Sequence, residues 1–193
     1  MNIEKNNKET LSLVIPYFES VPEKRAILKQ CIDAVEGMYD ELIIVNDIES
    51  RGPTRAIIQG FAMSHGDYIA CLSDDAFLEE GNLRDLMDPD SLVSPRMNQK
   101  PQSFWGMAYC MPRWIYEKVG VLDEAFDGGI YYDDEDYYLT LKKNNIPHYC
   151  NADVNFMHPD GGKTVKADPT ISEKEKRNRK VFENKWGPLS NYR

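Results

Sequence analysis

Tyr68-Ile69-Ala70-Cys71-Leu72-Ser73-Asp74-Asp75 is the stretch that decides how this chain is read. Five apolar residues in a row are too few for a helix and suit a strand buried on both faces. The run then breaks at once into a hydroxyl and two adjacent carboxylates. Neighbouring carboxylates repel unless solvent or a cation compensates them. Mg²⁺ and Mn²⁺ favour oxygen ligands, keep some of their waters and commonly bridge to phosphates. Aspartates also open ordinary turns, so the pair by itself fits either a cation site or a turn.

Working outward toward the N-terminus, Leu11-Ser12-Leu13-Val14-Ile15 is a second buried strand, closed by Pro16-Tyr17. After Pro22, the positions Ile27, Leu28, Cys31, Ile32 and Val35 recur at helical spacing as far as Gly37. Leu42-Ile43-Ile44-Val45 is again a buried strand and runs into Asn46-Asp47, and Thr54 to Ser64 suits a helix that stops near Gly66. Strand and helix in alternation specify a parallel sheet with helical crossovers. Such sheets bind ligands beyond the carboxyl ends of their strands. Three strands here end at that edge in Pro16-Tyr17, Asn46-Asp47 and Asp74-Asp75.

Toward the C-terminus the pattern is more mixed. Leu92-Val93 and Met107 to Met111 read as strands, joined through a polar loop over 98–103. Arg113 to Val119 is a short helix ended by Gly120, and a further helix runs from about Asp134 to Asn144. Tyr149-Cys150 and Val154 to Met157 are two short strands. The final helix opens on a capping-box pattern, Ser172-x-x-Glu175, and stops at Trp186-Gly187-Pro188. Within this half, Asp133-Asp134-Glu135-Asp136 places four acids in succession. They suit the positive end of a helix, or a carboxylate whose pKa is raised by crowding for use as a general base; spacing leaves both open. Among the three histidines, His158 alone follows an apolar strand and precedes a Gly-rich turn, where it can ligate a metal.

Composition narrows the class. A chain of 193 residues with 41% hydrophobic and 28% charged residues is of ordinary globular type. No apolar run reaches the roughly 20 residues of a membrane span, and the polar start is no signal peptide. Residues 1–160 hold 14 Lys/Arg against 28 Asp/Glu, a net of −14; residues 161–193 hold 9 against 4, a net of +5. The acidic body argues against broad nucleic-acid binding. Cys31, Cys71, Cys110 and Cys150 are scattered without a CxxC pair, as core residues of a reducing compartment are. The expected location is cytoplasmic.

The order of these motifs resembles the inverting family 2 glycosyltransferases of GT-A fold, from about Leu11 to Gly187. Leu13 to Tyr17 resembles their first strand, and Glu41 to Asp47 the second. Gly52-Pro53-Thr54-Arg55-Ala56, with Gly60-Phe61-Ala62, is similar to the helix leading into the third. Leu72-Ser73-Asp74-Asp75 stands where that family keeps its DxD motif, with Ser73 replacing the first acid. Gly106 to Arg113 resembles the acceptor-side strand. Two registers place the family's E-D-x-D-x-x-L segment, and the one reading Asp133-Asp134 as its acidic pair keeps Asp136 and Leu139 in place. Asn184-Lys185-Trp186-Gly187 is similar to the closing helix.

The resemblance implies an α/β fold: one GT-A, Rossmann-like domain whose mostly parallel sheet is flanked by helices, with a mixed acceptor-side half. A polar lead over 1–10 precedes the domain at 11–187. Within it, 11–75 binds the nucleotide-sugar, 91–160 forms the acceptor and catalytic half, and 161–187 is a basic segment; 188–193 is a tail. Asp134 is then the general base with Asp133 as its helper, and Asp75 with His158 holds Mn²⁺ or Mg²⁺. Pro16, Tyr17, Asn46, Asp47, Arg55, Ser73, Asp74 and Gly106 line the nucleotide-sugar. Lys163, Lys166 and the Arg177–Lys180 stretch would close over its phosphates. The implied partners are a nucleoside-diphosphate sugar, with UDP the expected nucleotide, and a saccharide or lipid-linked saccharide acceptor, a modified nucleic-acid base being the less favoured choice. Two other functions compete: a non-catalytic nucleotide-sugar-binding module, and a sugar-phosphate nucleotidylyltransferase. Arg51 to Arg55 faintly resembles the latter's Gly-rich loop, displaced from the first strand to the second.

Overall fold

The computed structural model describes residues 8–19, 22–49, 52–101, 104, 106–126, 131–159 and 170–191. Seven strands form one sheet in the order β2-β1-β3-β6-β5-β7-β4. They are β1 (Leu11–Tyr17), β2 (Glu41–Asn46), β3 (Tyr68–Leu72), β4 (Phe77–Glu80), β5 (Leu92–Met97), β6 (Ala108–Pro112) and β7 (His148–Met157). Helices α1 (Glu23–Asp33), α2 (Pro53–Met63), α3 (Arg113–Val119), α4 (Asp133–Lys143) and α5 (Ile171–Trp186) accompany them.

Alternation along the strands sorts the core into two layers. Leu11, Leu13 and Ile15 of β1 join Tyr68, Ala70 and Leu72 of β3 on one face, with Cys31 of α1 and Phe156 of β7. Val14, Ile69 and Cys71 point to the other face, where Ile57 and Phe61 of α2, Ile115 of α3 and Leu141 of α4 cover them. With both faces covered, the strands are continuous apolar runs and not alternating ones. Cys31, Cys71 and Cys110 are buried and Cys150 is half-buried; all four are free thiols. Burial pushes the Cys31 and Cys71 thiols up to about 12, which makes them inert core residues.

The first half is parallel as expected, with β1 between β2 and β3. Beyond β3 the sheet becomes mixed: β6 runs antiparallel to β3 and β5, β7 runs parallel to β5, and β4 runs antiparallel to β7. The two expected short strands at Tyr149-Cys150 and Val154–Met157 are one strand, β7. Its register against β5 jumps between Pro95 and Arg96, so the polar Asn151-Ala152-Asp153 interruption is an irregularity inside a continuous ladder. The strand β4 was not anticipated, because Phe-Leu-Glu-Glu is short and lies at an edge with its acids exposed.

Two helix ends also differ from expectation. The first helix stops at Asp33 and turns carry the chain to Gly37, where φ is +76°. The last helix begins at Ile171 without a side-chain cap, and the Glu173 and Lys174 amides both donate to Thr170 O. Ser172 is therefore already inside the first turn and not its cap. A third cluster of Phe126, Tyr132, Phe182 and Leu189, with Leu139 and Trp186 against it, docks α5 beside α4. Among the described residues no helix is long and apolar enough to cross a membrane. Gly161, Gly162, Lys163 and Lys166 of the basic segment lie outside the described residues.

Candidate functional site

Strand directions bring the candidate residues to one edge of the sheet. β1, β2 and β3 end there at Tyr17, Asn46 and Leu72. Because β6 is antiparallel to β3, its start lies at the same edge, with Ala108 opposite Leu72. β7 in turn ends there, carrying His158 just beyond Met157. The unanticipated β4 completes the arrangement by pairing Phe77 with Met157. Residues just before β4 and just after β7 become neighbours, although 83 positions separate Asp75 from His158 in sequence.

The outcome is a contact of 3.0 Å between His158 Nε2 and Asp75 Oδ1. Ser73 Oγ donates to the same Asp75 oxygen at 2.7 Å. Burial raises the Asp75 pKa, but the His158 and Ser73 contacts and Lys24 outweigh it and hold the carboxyl at about 2. Asp74 has a different partner. Its Oδ1 accepts from Lys24 Nζ at 2.8 Å, and Lys24 lies 3.8 Å from Asp75 Oδ2. Burial nevertheless raises the Asp74 carboxyl, which is 8% exposed.

His158 is itself held in place by a reciprocal pair. Its amide donates to Asn98 Oδ1 at 2.8 Å, and Asn98 Nδ2 donates to His158 O at 2.9 Å. Asn98 adopts φ +52°, a left-handed conformation that asparagine tolerates. The adjoining Gln99 amide donates to the fully buried Asn155, which donates in turn to Glu79 of β4. The polar loop expected over 98–103 is thus, at Asn98 and Gln99, a fastening for the end of β7.

The second acidic pair opens α4. Its first turn follows Tyr132 in a left-handed conformation, and all four acids, Asp133 to Asp136, fall within it. Asp134 Oδ1 accepts the Gly106 amide at 3.1 Å. A Cβ built on Gly106 would run into that oxygen, so only glycine lets the backbone approach so closely. Burial, then Asp133 and Glu135, raise the Asp134 carboxyl well above the usual carboxylate range. Asp133 is raised as well, chiefly by burial, and its Oδ2 accepts from Thr54 Oγ1 at 3.1 Å. Asp136 faces elsewhere: it is 2% exposed, receives Trp186 Nε1 at 2.7 Å and pairs with Lys185 at 2.8 Å. This acid ties α5 to α4.

The two acidic pairs are linked through β6. The Ser73 amide donates to Met107 O at 2.7 Å, and the neighbouring Gly106 amide meets Asp134. On the nucleotide side, Asp47 is buried and accepts the Gly52 amide at 2.6 Å, with Gly52 at φ +96°. The Asp47 amide donates to Tyr17 O at 2.8 Å. Among the described residues the buried Tyr17 hydroxyl has no hydrogen-bond partner, and burial raises its pKa. Pro16 is half-buried in β1, while Asn46 and Arg55 are exposed and join neither acidic pair. In the basic helix, Arg179 pairs with Glu183 at 3.0 Å and Asn178 is buried.

Sequence reading missed Lys24, Asn98 and Thr54. Only Thr54 had a readable signal, since it follows the Gly-Pro start of α2.

Residues 20–90 match the family model described as Glycosyl transferase family 2. No curated protein matches the chain at a significant level. Among solved structures, it is similar to the mannosyltransferase PcManGT from Pyrobaculum calidifontis in complex with GDP-Man and Mn²⁺, at a TM-score of 0.59 and 14% identity over 82% of this chain and 59% of that one. It is also similar to GalNAc-T7 with UDP, GalNAc and Mn²⁺, at a TM-score of 0.58 and 10% identity over 79% of this chain and 44% of that one. The chain thus spans about half the length of these relatives. The family 2 sequence match lies over β2, β3 and β4, and the fold around it is the one these two glycosyltransferase structures share.

Proposed function

We propose that this protein is an inverting, metal-dependent glycosyltransferase that moves a sugar from a nucleoside-diphosphate sugar, with UDP as the expected nucleotide, to an acceptor hydroxyl. The observation that carries the reading is the convergence of Asp75 and His158 on the edge that also presents Asp134. Among the described residues no three potential ligands gather to hold a metal ion by themselves. Two protein ligands suit Mg²⁺ or Mn²⁺, which take one or two carboxylates and complete their shell with waters and substrate phosphates. A bound cation there would neutralise charge on the departing diphosphate.

The chain's own residues supply the rest. Asp75 is ionised throughout the physiological range, and Ser73 and His158 fix one of its oxygens. Asp134 removes the acceptor proton, and its raised pKa brings it toward the operating pH of a general base. Burial first, and then the like charge of Asp133, which Thr54 orients, keep that pKa high. Tyr17 and Asp47 line the nucleotide end, and Asn46, Arg55 and Asp74 complete the donor surroundings. Attack on one face and departure from the other give inversion, with orientation supplying much of the rate. The acceptor we propose is a saccharide or lipid-linked saccharide.

Incubating the protein with UDP-, GDP- and dTDP-sugars and Mn²⁺ tests the reading through slow donor hydrolysis. Cleavage of one donor that stops on chelation supports it; cleavage of none, with donor still bound, favours a nucleotide-sugar-binding module. Lys24, which already neutralises Asp74, is the observation that favours this second reading.

A further inference from the structure

Lys24 occupies a position that stability alone disfavours. It lies in the first turn of α1, where the N-cap Pro22 offers no side-chain bond and the helix dipole opposes a cation. It is also only 7% exposed, and an ammonium withdrawn from water loses most of its hydration. What compensates it is the acidic pair: Asp74 Oδ1 at 2.8 Å and Asp75 Oδ2 at 3.8 Å. The two oxygens of Asp75 therefore face different partners, with Ser73 and His158 at Oδ1 and Lys24 toward Oδ2.

We propose that Lys24 is a built-in counter-cation that holds Asp74 out of the divalent cation's ligand set and lowers the cation's affinity for the donor-free protein. The proposal rests on the donor-site reading above. By formal charge Asp74, Asp75 and Lys24 sum to −1, and removing the ammonium makes the sum −2. A hard cation binds more tightly as the charge of its oxygen ligands rises. With Lys24 in place, the cation arrives efficiently only with the donor, whose diphosphate brings the missing oxygens and charge. Lys24 is thus a positioning residue, acting through the two aspartates.

Mn²⁺ titration of the full chain, followed by the electron paramagnetic resonance of free Mn²⁺, tests this with and without UDP or GDP. Without nucleotide, Lys24→Met should bind Mn²⁺ about tenfold more tightly than wild type, as expected from one additional free carboxylate. Adding Asp74→Asn to that variant should return the affinity to the wild-type value. Should Lys24→Met fail to fold, Lys24→Gln takes its place: it keeps a polar group beside Asp74 and should likewise tighten Mn²⁺ binding without nucleotide, while Asp75→Asn abolishes nucleotide-supported binding. Unchanged donor-free affinity in Lys24→Met, or in Lys24→Gln where Lys24→Met does not fold, overturns the role of Lys24 and leaves the donor site standing. Wild type that binds no Mn²⁺ with either nucleotide overturns the donor-site reading and the inference together.

Discussion

Two pairs of adjacent aspartates stand on the same sheet edge, and their surroundings drive them in opposite directions. Asp75 meets a histidine, a serine hydroxyl and a lysine, and is held at about 2. Asp134 meets a single backbone amide and two further acids, and is raised well above the usual range. The same side chain is driven toward the anion in one place and toward the protonated acid in the other, which suits the ligand and general-base roles proposed for them. Neighbours decide the role, as they do where two carboxylates share a site and divide its acid and base duties.

Removing the permanent anion should have the largest effect. Asp75→Asn takes away the charged ligand and leaves His158 facing a neutral amide; metal-dependent transfer should fall by about 10³-fold or more. Donor hydrolysis assayed across a Mn²⁺ series checks this, and activity that excess Mn²⁺ fully restores would break the assignment.

Asp134→Asn comes next, with a loss of about 10²- to 10⁴-fold in transfer, as for removal of a general base. The acidic limb of the wild-type kcat/KM profile should lie above the ordinary carboxylate value of 3.8 and should vanish in the variant. Stability should move the other way. A carboxyl with a raised folded-state pKa favours the fold below its unfolded value of 3.8, and that contribution is lost as pH rises through the raised value. At neutral pH Asp134→Asn should therefore melt higher than wild type, and the difference should shrink as pH falls toward 3.8. Equal melting temperatures at pH 7 would show that Asp134 is not strained by its surroundings.

Smaller effects sharpen the contrast. Gly106→Ala pushes a methyl group into Asp134 Oδ1 and should slow transfer about tenfold by displacing that carboxyl. Thr54→Val removes one hydrogen bond to Asp133 and should cost transfer about three- to tenfold, in line with the net worth of such a bond. Steady-state kinetics with separate donor-binding titrations distinguish these from general loss of fold.

Much of the fold was legible because its signals are local. Leu11–Ile15, Leu42–Val45 and Tyr68–Leu72 are largely apolar runs, and each ends at the sheet edge that carries the acidic pairs. Arg113–Val119 with Gly120 was legible for the same reason. Asp134 was legible as one of four crowded acids and His158 as a histidine at a strand end; motif order gave each a specific role. No local pattern marks Phe77–Glu80 as a strand, or Asn98 as the partner of the His158 backbone, since both depend on pairing across distant parts of the chain.

By itself, then, the sequence determined the alternation of strands and helices, the acids at the strand ends and the general identity of the edge that carries them. These follow from side-chain periodicity and strand direction. Only the tertiary structure decided how the acids divide. The β4–β7 register sets Asp75 against His158, the first turn of α1 sets Lys24 against Asp74, and the start of β6 sets Gly106 against Asp134. A carboxylate's pKa and ligand role are set by whatever lies within a few ångströms of it. In this chain Gly106, Lys24 and His158 reach their aspartates from 28, 50 and 83 residues away.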